Sequence, residues 1–359
     1  MENDSPIKRR KCNPVKIGGV VIGGGFPIAI QSMTNTDTRD IDATVRQIEA
    51  LTDAGCEIIR VAVLDDDAAA CLGAIKKRIK IPLVADIHFK YKLALAAIAQ
   101  GVDKIRINPG NIGDDWKVHE IVKAASNAGI PIRVGVNSGS LPKDLVAKHG
   151  HDNPGAFVEA ALRQVAVLEE KNFKNIVVAL KSSNVNVAHQ AHLLLADKID
   201  YPFHLGITEA GTRRSGIIKS AVGIGAMLIN GIGDTVRVSL SADPIEEIYA
   251  ARMILRSLEL RREGVEIISC PTCGRTEIDL ISLAESIEQK TAHYKTPLKV
   301  AVMGCSVNGP GEAAAADVGI AGGRGLGLLF RKGKIIRKIP ENELEQTLLA
   351  EIENLTGGK

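Results

Sequence analysis

Short apolar runs alternate with amphipathic runs from Pro27 to Leu258. The apolar runs are four to seven residues long and contain many Val and Ile, which is typical of strands in a buried parallel sheet. The predicted strands are Ile28–Gln31, Glu57–Val63, Leu83–His88, Lys104–Asn108, Ile132–Asn137, Asn175–Lys181, Phe203–Thr208 and Thr235–Leu240. The predicted helices are Asp42–Ala54, Asp67–Arg78, Tyr91–Ala99, Asp115–Ala128, Phe157–Lys171, Val185–Asp197, Ile217–Ile229 and Ile245–Leu258.

Eight strand–helix units in roughly 230 residues match the number and length of units in a (β/α)8 barrel. A doubly wound sheet is the alternative, but such a sheet normally has a Gly-rich dinucleotide-binding turn after an early strand. The candidate for that turn, Val20–Gly25, is not followed by a suitable helical run. We therefore predict an α/β protein with a TIM-type barrel over residues 1–260.

The pattern changes after Leu258, where Arg261–Gly264 resembles a hinge. The remaining residues, 261–359, have the length of a small domain and mix strands with helices, which predicts an α+β domain. Its predicted strands are Val265–Ile268, Leu298–Met303, Leu328–Arg331 and Lys334–Lys338, and its predicted helices are Ile278–Lys290 and Glu341–Asn354.

Composition excludes several classes of function. A net charge of +3 and an aromatic content of 3% do not favour nucleic-acid binding. The uncharged stretch Ser220–Gly233 has 14 residues and is too short to cross a bilayer, and the first residues lack the apolar region of a secretory signal. Six cysteines in 359 residues do not form a disulfide scaffold, so we expect a cytoplasmic protein.

Arginine occurs in the middle of four of the predicted strands, at Arg60, Arg106, Arg133 and Arg237. Burying an unpaired charge costs several kcal/mol, so these side chains need anionic partners. Because side chains alternate along a strand, the arginines and Lys181 are expected to point into the barrel. A bound diphosphate is one explanation, since Arg binds such oxygens in bidentate geometry. A set of internal salt bridges is the alternative.

Further polar residues are expected near the same mouth of the barrel, where such enzymes place their active sites. Asp86 can neutralise part of the positive charge, and Glu209 follows a strand, where it can act as an acid or base or pair with an arginine. The other candidates are Asn137, Thr208 and Ser239.

A second candidate site lies in the C-terminal domain. Cys270 and Cys273 are three residues apart, and Cys305 precedes a Gly/Pro-rich loop that ends at Glu312. Three thiolates suit an iron–sulfur cluster or zinc, and a hard carboxylate ligand would leave one corner of the site exchangeable. The residues alone favour iron and sulfur, but a zinc site or a dithiol redox pair stays open.

Several long motifs resemble one family, the 4-hydroxy-3-methylbut-2-enyl diphosphate synthases of isoprenoid biosynthesis. They cover essentially the whole chain and are Gln31–Thr34, Ala85–Phe89, Arg106–Asn111, Gly135–Leu141, His204–Gly211, Gly233–Leu240, Cys270–Cys273 and Asn308–Glu312. The resemblance implies an oxidoreductase of the short, two-domain bacterial form that acts on CH or CH2 groups. Its C-terminal domain would be similar to a domain of sulfite and nitrite reductases.

The resemblance also implies the chemistry. It implies one 4Fe–4S cluster bound by Cys270, Cys273, Cys305 and Glu312, with electrons from flavodoxin or ferredoxin. The substrate implied is 2-C-methyl-D-erythritol 2,4-cyclodiphosphate, whose ring is opened and which loses a hydroxyl as water. Glu209, Glu312 and Asp86 match the catalytic positions. The matching substrate-binding positions are Arg60, Arg106, Arg133, Asn137, Lys181, Thr208, Arg237 and Ser239.

Members of that family form homodimers in which the cluster domain of one chain caps the barrel of the other, and a two-fold pair would do this twice. Two other functions remain open from the residues alone. One is a non-redox anion- or pterin-binding barrel with a structural zinc domain, and the other is a disulfide oxidoreductase that uses the Cys270–Cys273 pair.

Overall fold

The structure is a computed structural model that describes residues 7–305, 311 and 313–357. The chain divides into two compact units, Met1–Arg261 and Arg262–Lys359. Each unit has its own buried apolar cluster.

The first unit is a barrel of parallel strands that is preceded by a small hairpin. Its strands are β1 (Val15–Ile17), β2 (Val20–Ile22), β3 (Ala29–Met33), β4 (Ile58–Ala62), β5 (Leu83–Asp86), β6 (Lys104–Ile107), β7 (Ile132–Asn137), β8 (Ile176–Lys181), β9 (His204–Leu205) and β10 (Thr235–Val236). Its helices are α1 (Ile41–Ala54), α2 (Asp66–Arg78), α3 (Tyr91–Ala99), α4 (Pro109–Ile112), α5 (Asp115–Ala128), α6 (Lys143–His149), α7 (Pro154–Glu169), α8 (Val185–Ala196), α9 (Arg213–Ile229) and α10 (Pro244–Ser257).

Strands β3 to β10 pair in the order β8-β7-β6-β5-β4-β3-β10-β9. A parallel bridge between Val178 and Phe203 joins the two ends of this row. At least one helix follows each of the eight strands. This connectivity confirms the barrel prediction and excludes the doubly wound sheet, in which the row of strands stays open.

Alternation of side chains along the strands gives the barrel two different surfaces. The outward residues, such as Ile59, Ile105 and Val134, are buried against the helices in the main apolar cluster. The inward residues at the amino ends of four strands pack instead with the β1–β2 hairpin. This second cluster contains Val15, Ile17, Ile22, Ala29, Ile58, Val84 and Val177. The hairpin therefore fills the amino end of the barrel with apolar side chains.

Three parts of this unit differ from the sequence prediction. Strands β9 and β10 contain two residues each, although six were predicted for both. The hairpin and the helices α4 and α6 were not predicted. Pro109 begins α4, where proline suits the first helical turn, and the side chain of Asn108 caps this helix by accepting from the Gly110 N–H at 3.1 Å.

In its described residues, the second unit contains a five-stranded mixed sheet and two α-helices. It contains β11 (Val265–Ser269), α11 (Leu280–Thr291), β12 (Leu298–Met303), β13 (Val318–Ala321), β14 (Leu326–Arg331), β15 (Lys334–Pro340) and α12 (Leu344–Thr356). The strands pair in sequence order, with β11, β12 and β13 parallel and the last two antiparallel. Both helices bury apolar residues in the cluster that covers the sheet. The α+β prediction is confirmed, although β13 was not predicted.

No helix within the described ranges is both long and apolar enough to cross a membrane.

Candidate active site

Six basic side chains lie at inward-facing positions of the barrel strands or directly after them. They are Arg60, Lys104, Arg106, Arg133, Lys181 and Arg237. Register brings several of them together: Arg106 is opposite Asp86 on β5 and also opposite Arg133 on β7. The predicted convergence of the strand arginines and Lys181 is therefore present in the structure.

Asp86 is the carboxylate around which two of the arginines gather. Arg106 Nη1 donates to Asp86 Oδ1 at 3.0 Å, and Arg60 Nε lies 3.6 Å from Asp86 Oδ2. Burial alone would raise the pKa of Asp86. The charge of Arg60, a hydrogen bond from His88 and the charges of Arg106 and Arg133 outweigh burial and hold this pKa well below its usual range. Asp86 is therefore ionised and neutralises part of the cluster.

Arg133 has no such partner among the described residues. Its side chain is 1% exposed, and its Nε and Nη1 atoms are buried without a hydrogen bond. Burial lowers the pKa of Arg133, and the neighbouring charges of Arg60 and Arg106 lower it further. Because a guanidinium stays protonated in proteins, Arg133 carries a buried positive charge that lacks a counter-ion.

Lys181 ends β8 and is also buried without a carboxylate within 4.0 Å in the described part of the chain. Its ammonium packs against Gly206, where an added Cβ would lie 2.8 Å from Lys181 Nζ. A Cβ on Gly135 would similarly lie 3.2 Å from Arg106 Nε. The two glycines on the inner surface thus leave room for the long cationic side chains.

Arg237 and Glu247 form a third part of the site. Arg237 Nε lies 3.5 Å from Glu247 Oε2, which also accepts from Ser32 Oγ at 3.2 Å. The other oxygen of Glu247 accepts from the Leu240 N–H at 3.0 Å. Glu247 was not predicted from the sequence because it lies in the first turn of α10. Acidic residues are common there because they interact favourably with the positive end of the helix dipole.

Lys104 and Gln31 lie inside the barrel and were also missed. Lys104 is fully buried, and its Nζ atom donates to Gln31 Oε1 at 3.3 Å. On the neighbouring part of the inner surface, His204 Nδ1 and Thr235 Oγ1 are 2.7 Å apart, while His204 Nε2 has no hydrogen-bond partner among the described atoms. Both pairs line the interior of the barrel rather than its mouth.

The remaining predicted residues surround the carboxyl ends of the strands. Asn137 ends β7, Thr208 and Glu209 follow β9, and Ser239 follows β10. Asn137, Thr208 and Ser239 are half-buried, whereas Glu209 is exposed and has a φ of 50°. A positive φ is uncommon for a residue with a side chain and is frequent at functional sites.

The net result is an inner surface with six basic side chains, four of them arginines, and, in the described part of the chain, two buried carboxylates within ion-pairing distance of them. Internal salt bridges alone therefore do not balance the charge. The opening of the barrel is suited to an anion with several oxygens that accept hydrogen bonds.

The cysteine motifs meet at one end of the sheet in the second unit. Because β11 and β12 are parallel, with Ser269 opposite Val302, Cys270 and Cys305 follow the carboxyl ends of adjacent strands. The Gly304 N–H donates to Cys270 Sγ at 3.3 Å, and the Thr276 N–H donates to the Cys273 carbonyl at 3.0 Å. The loop that carries Cys273 thus folds back against the start of the Cys305 loop.

The donor chemistry fits a thiolate-bound metal group. All three cysteines are free, and Cys270 accepts an amide N–H, which stabilises negative charge on sulfur. A backbone hydrogen bond from Arg275 lowers the pKa of the Cys273 thiol. Glu312, the predicted fourth ligand, lies outside the described residues. Within the described ranges, no three His, Cys, Asp or Glu side chains are close enough together to hold a metal ion.

Comparison with known families decides where this chain belongs. The profile of the GcpE TIM-barrel domain matches residues 12–252, and that of the GcpE protein C-terminal domain matches residues 266–354. The chain belongs to the GcpE family. The two matches together cover both the cationic barrel and the cysteine loops.

Curated relatives of this GcpE chain share most of their length with it. The protein of Caldanaerobacter subterraneus subsp. tengcongensis is 57% identical over 350 residues, which are 97% of this chain and 99% of the relative. The protein of Clostridium perfringens is 55% identical over 349 residues, covering 97% of this chain and 100% of the relative. Both are named 4-hydroxy-3-methylbut-2-en-1-yl diphosphate synthase (flavodoxin).

Solved structures that resemble this GcpE chain are distant in sequence. An N-acetylneuraminic acid synthetase from Leptospira borgpetersenii has a TM-score of 0.51 at 14% identity, with 79% of this chain and 98% of that chain covered. A dihydropteroate synthase from Stenotrophomonas maltophilia has a TM-score of 0.50 at 16% identity, with 68% and 97% covered. At these identities the likeness concerns the fold alone.

Proposed function

We propose that this chain converts 2-C-methyl-D-erythritol 2,4-cyclodiphosphate to 4-hydroxy-3-methylbut-2-enyl diphosphate in isoprenoid biosynthesis. Family membership and the activity in the relatives' name support this reaction. The observation in the structure that carries the proposal is the buried positive charge of Arg133, which has no carboxylate partner among the described residues. A diphosphate has the charge and the oxygens that such a surface requires.

We assign substrate binding to the side chains at the mouth of the barrel. The set is Arg60, Arg106, Arg133, Asn137, Lys181, Thr208, Arg237 and Ser239. Its cations would bind the diphosphate oxygens, and Asn137, Thr208 and Ser239 offer polar groups at the ends of three different strands. Asp86 would hold Arg60 and Arg106 in place through the two ion pairs described above.

Glu209 is the residue that we assign to proton transfer. It is exposed at the mouth directly after Thr208, and its φ is 50°. An exposed carboxyl group in this place can exchange its proton with solvent and deliver it to a substrate held by the cations below.

We propose that the cofactor is one 4Fe–4S cluster held by Cys270, Cys273, Cys305 and Glu312. The amide that donates to Cys270 Sγ and the position of Cys270 and Cys305 on adjacent strand ends support this ligand set. When bound, such a cluster supplies electrons one at a time and a Lewis-acidic iron. The carboxylate of Glu312 is the ligand that exchanges most readily, because it is hard and iron–sulfur sites prefer thiolates.

We further propose that flavodoxin, or a ferredoxin, delivers the two electrons. The name of the relatives includes flavodoxin and supports this choice. We also propose a homodimer in which the cluster domain of one chain caps the barrel of the other. The short connection at Arg261–Gly264 supports this arrangement, since it gives a domain little length with which to fold back on its own barrel.

Anaerobic purification and assay test the proposed function. Iron and acid-labile sulfide should be present in about equal amounts, and the protein should convert the cyclodiphosphate when reduced flavodoxin or a reduced viologen dye is supplied. Zinc without sulfide, together with no conversion by either reductant, would support the anion-binding barrel with a structural zinc domain instead. Glu312→Ala should keep most of the iron and lose most of the turnover.

A further inference from the structure

Lys104 is a titratable residue inside the barrel to which the proposed reaction gives no role. It begins β6, and its side chain is fully buried. Its Nζ atom donates to Gln31 Oε1 at 3.3 Å, and the described residues place no carboxylate within 4.0 Å of it. A charged ammonium in this position would have a single neutral acceptor, which does not offset the cost of its burial.

The polar and charged groups that share the barrel interior with Lys104 come from every strand of the barrel. They are Gln31 on β3, Arg60 on β4, Asp86 on β5, Arg106 on β6, Arg133 on β7, Lys181 on β8, His204 on β9 and Arg237 after β10, with Glu247 from α10 paired to Arg237. Most of these groups are cations. Any proton on Lys104 is therefore repelled by the surrounding field, and the two carboxylates are already paired with arginines.

The arginines and the lysines respond differently to this field. Burial lowers the pKa of Lys104 well below its ordinary value, and the charges of Arg133 and Arg60 lower it further. An arginine keeps its proton even where burial lowers its pKa, because the delocalised guanidinium begins from a very high value, whereas a buried lysine releases its proton readily. Lys181 is buried in the same field and its pKa is lowered in the same way, but it lies at the mouth among the proposed ligand contacts. Lys104 is the buried lysine that relieves positive charge without a proposed contact to the ligand.

We propose that Lys104 is neutral while the barrel contains no anion, and that it takes up a proton from solvent when a diphosphate-bearing ligand binds above it. This inference rests on the proposed function only for the class of ligand. On binding, the negative charge of the ligand offsets the field of the arginines, and Lys104 changes from NH2 to NH3⁺ without contacting the ligand. Lys104 is then a positioning residue that couples ligand affinity to pH.

The direction of this coupling follows from linkage. Anion binding raises the pKa of Lys104. The protonated lysine therefore increases anion affinity at low pH. Above the pKa that Lys104 has in the complex, the lysine is neutral and does not change the affinity. The wild-type protein should therefore bind more tightly than a variant without the amine at low pH. At low pH the Kd of the variant should exceed that of the wild type by about tenfold for each unit by which the anion raises the pKa of Lys104.

The test uses Lys104→Met and Lys104→Gln in the full chain, with Lys92→Met as control, because Lys92 lies exposed on α3. Calorimetric titration with inorganic diphosphate is carried out between about pH 6 and pH 9.5, in two buffers of different ionisation enthalpy. Wild type and Lys92→Met should take up protons on binding. The two Lys104 variants should take up fewer, and the ratio of their Kd to that of wild type should fall towards one as the pH rises.

Each other result overturns the inference. A Kd ratio that does not depend on pH would assign Lys104 a purely structural role, and unchanged proton uptake would place the titrating group elsewhere. Failure of both variants to fold would show that a neutral side chain is not tolerated, which contradicts a neutral lysine in the free protein. Absence of diphosphate binding to the wild-type protein would also contradict the inference, because it requires an anion to bind in the barrel. Turnover of the cyclodiphosphate is measured in a separate assay. Proton uptake without turnover would contradict the proposed function alone, and turnover without proton uptake by Lys104 would contradict this inference alone.

Discussion

Arg106 and Arg133 lie directly opposite one another on the adjacent parallel strands β6 and β7. Arg106 is paired with Asp86 at 3.0 Å, whereas two nitrogen atoms of Arg133 are buried without a hydrogen bond. Two like charges in register inside a barrel oppose folding, and each unmet buried donor adds a cost. The free protein therefore gives up stability at the positions where we propose that it binds an anion.

Replacing Arg133 should separate stability from binding. Arg133→Met removes the unpaired charge, so we expect the free energy of unfolding of the ligand-free protein to rise by about 1–3 kcal/mol. Binding of diphosphate should become weaker by at least about tenfold, since a charge-assisted contact is lost. Urea unfolding and calorimetry measure the two effects.

The control Arg163→Met removes an exposed arginine of α7 and should change stability by less than about 1 kcal/mol. A less stable Arg133→Met protein with unchanged affinity would contradict the prediction.

Asp86 is expected to behave in the opposite way. Asp86→Asn leaves Arg60 and Arg106 without a counter-charge, which should cost about 3–5 kcal/mol of unfolding free energy. The pKa of Asp86 is lowered in the folded state, so its contribution is present above the unfolded pKa of about 4 and is lost as the pH falls. Asp114→Asn, which removes an exposed partner of Lys117, is the matched control and should have little effect. Equal losses in the two variants would argue against a special role for Asp86.

Gly206 should not tolerate a side chain. A Cβ there would lie 2.6 Å from the carbonyl oxygen of Arg237 and 2.8 Å from Lys181 Nζ, so Gly206→Ala must displace the lysine or the backbone. We expect loss of anion affinity and a lower melting temperature. Gly225→Ala in α9 meets no atom within 4 Å and should be neutral or slightly stabilising, because alanine favours a helix. A Gly206→Ala protein that binds and melts like wild type would show that Lys181 moves without cost.

His192 predicts part of the acid sensitivity of the fold. Burial lowers the pKa of His192 to about 4, while its Nδ1 lies 2.7 Å from the Ala188 carbonyl oxygen. The unfolded chain takes up a proton near pH 6.5, so stability is complete above that pH and is lost as the pH falls towards 4. Between about pH 7.5 and pH 5 the loss should be about 2 kcal/mol. His192→Gln should remove it, and His151→Gln, at an exposed position, should not. An unchanged acid slope in His192→Gln would assign the sensitivity to other groups.

Alternation along a strand allowed the cationic residues of the mouth to be predicted. Arginine in an apolar strand has two possible directions, and the apolar neighbours of Arg60, Arg106 and Arg133 leave only the inward one. Lys104 was missed for a related reason. Alternation places it on the same face as Arg106, but it is the first residue of β6, and a lysine at the border of a strand normally reaches solvent, so its complete burial was not expected.

Other parts of the site depend on contacts that are distant in sequence. Glu247 reaches Arg237 and Ser32 because α10 packs beside β3, which no local pattern reveals. Strand β13 was not predicted because it overlaps the Gly-rich segment Gly319–Gly327, whereas the structure requires glycine at Gly319: a Cβ there would lie 2.7 Å from the Cβ of Ala301. The lengths of β9 and β10 were overestimated because apolar residues continue at alternate positions beyond the last ladder residue, at Ile207, Val238 and Leu240.

The β1–β2 hairpin has a consequence for the order of events during turnover. It packs apolar side chains against the amino ends of β3, β4, β5 and β8, so the barrel is closed on that side. Substrate and product are therefore both expected to pass through the carboxyl end of the barrel, where the proposed binding residues lie. Because bound product occupies that end, we expect product inhibition to be competitive with substrate.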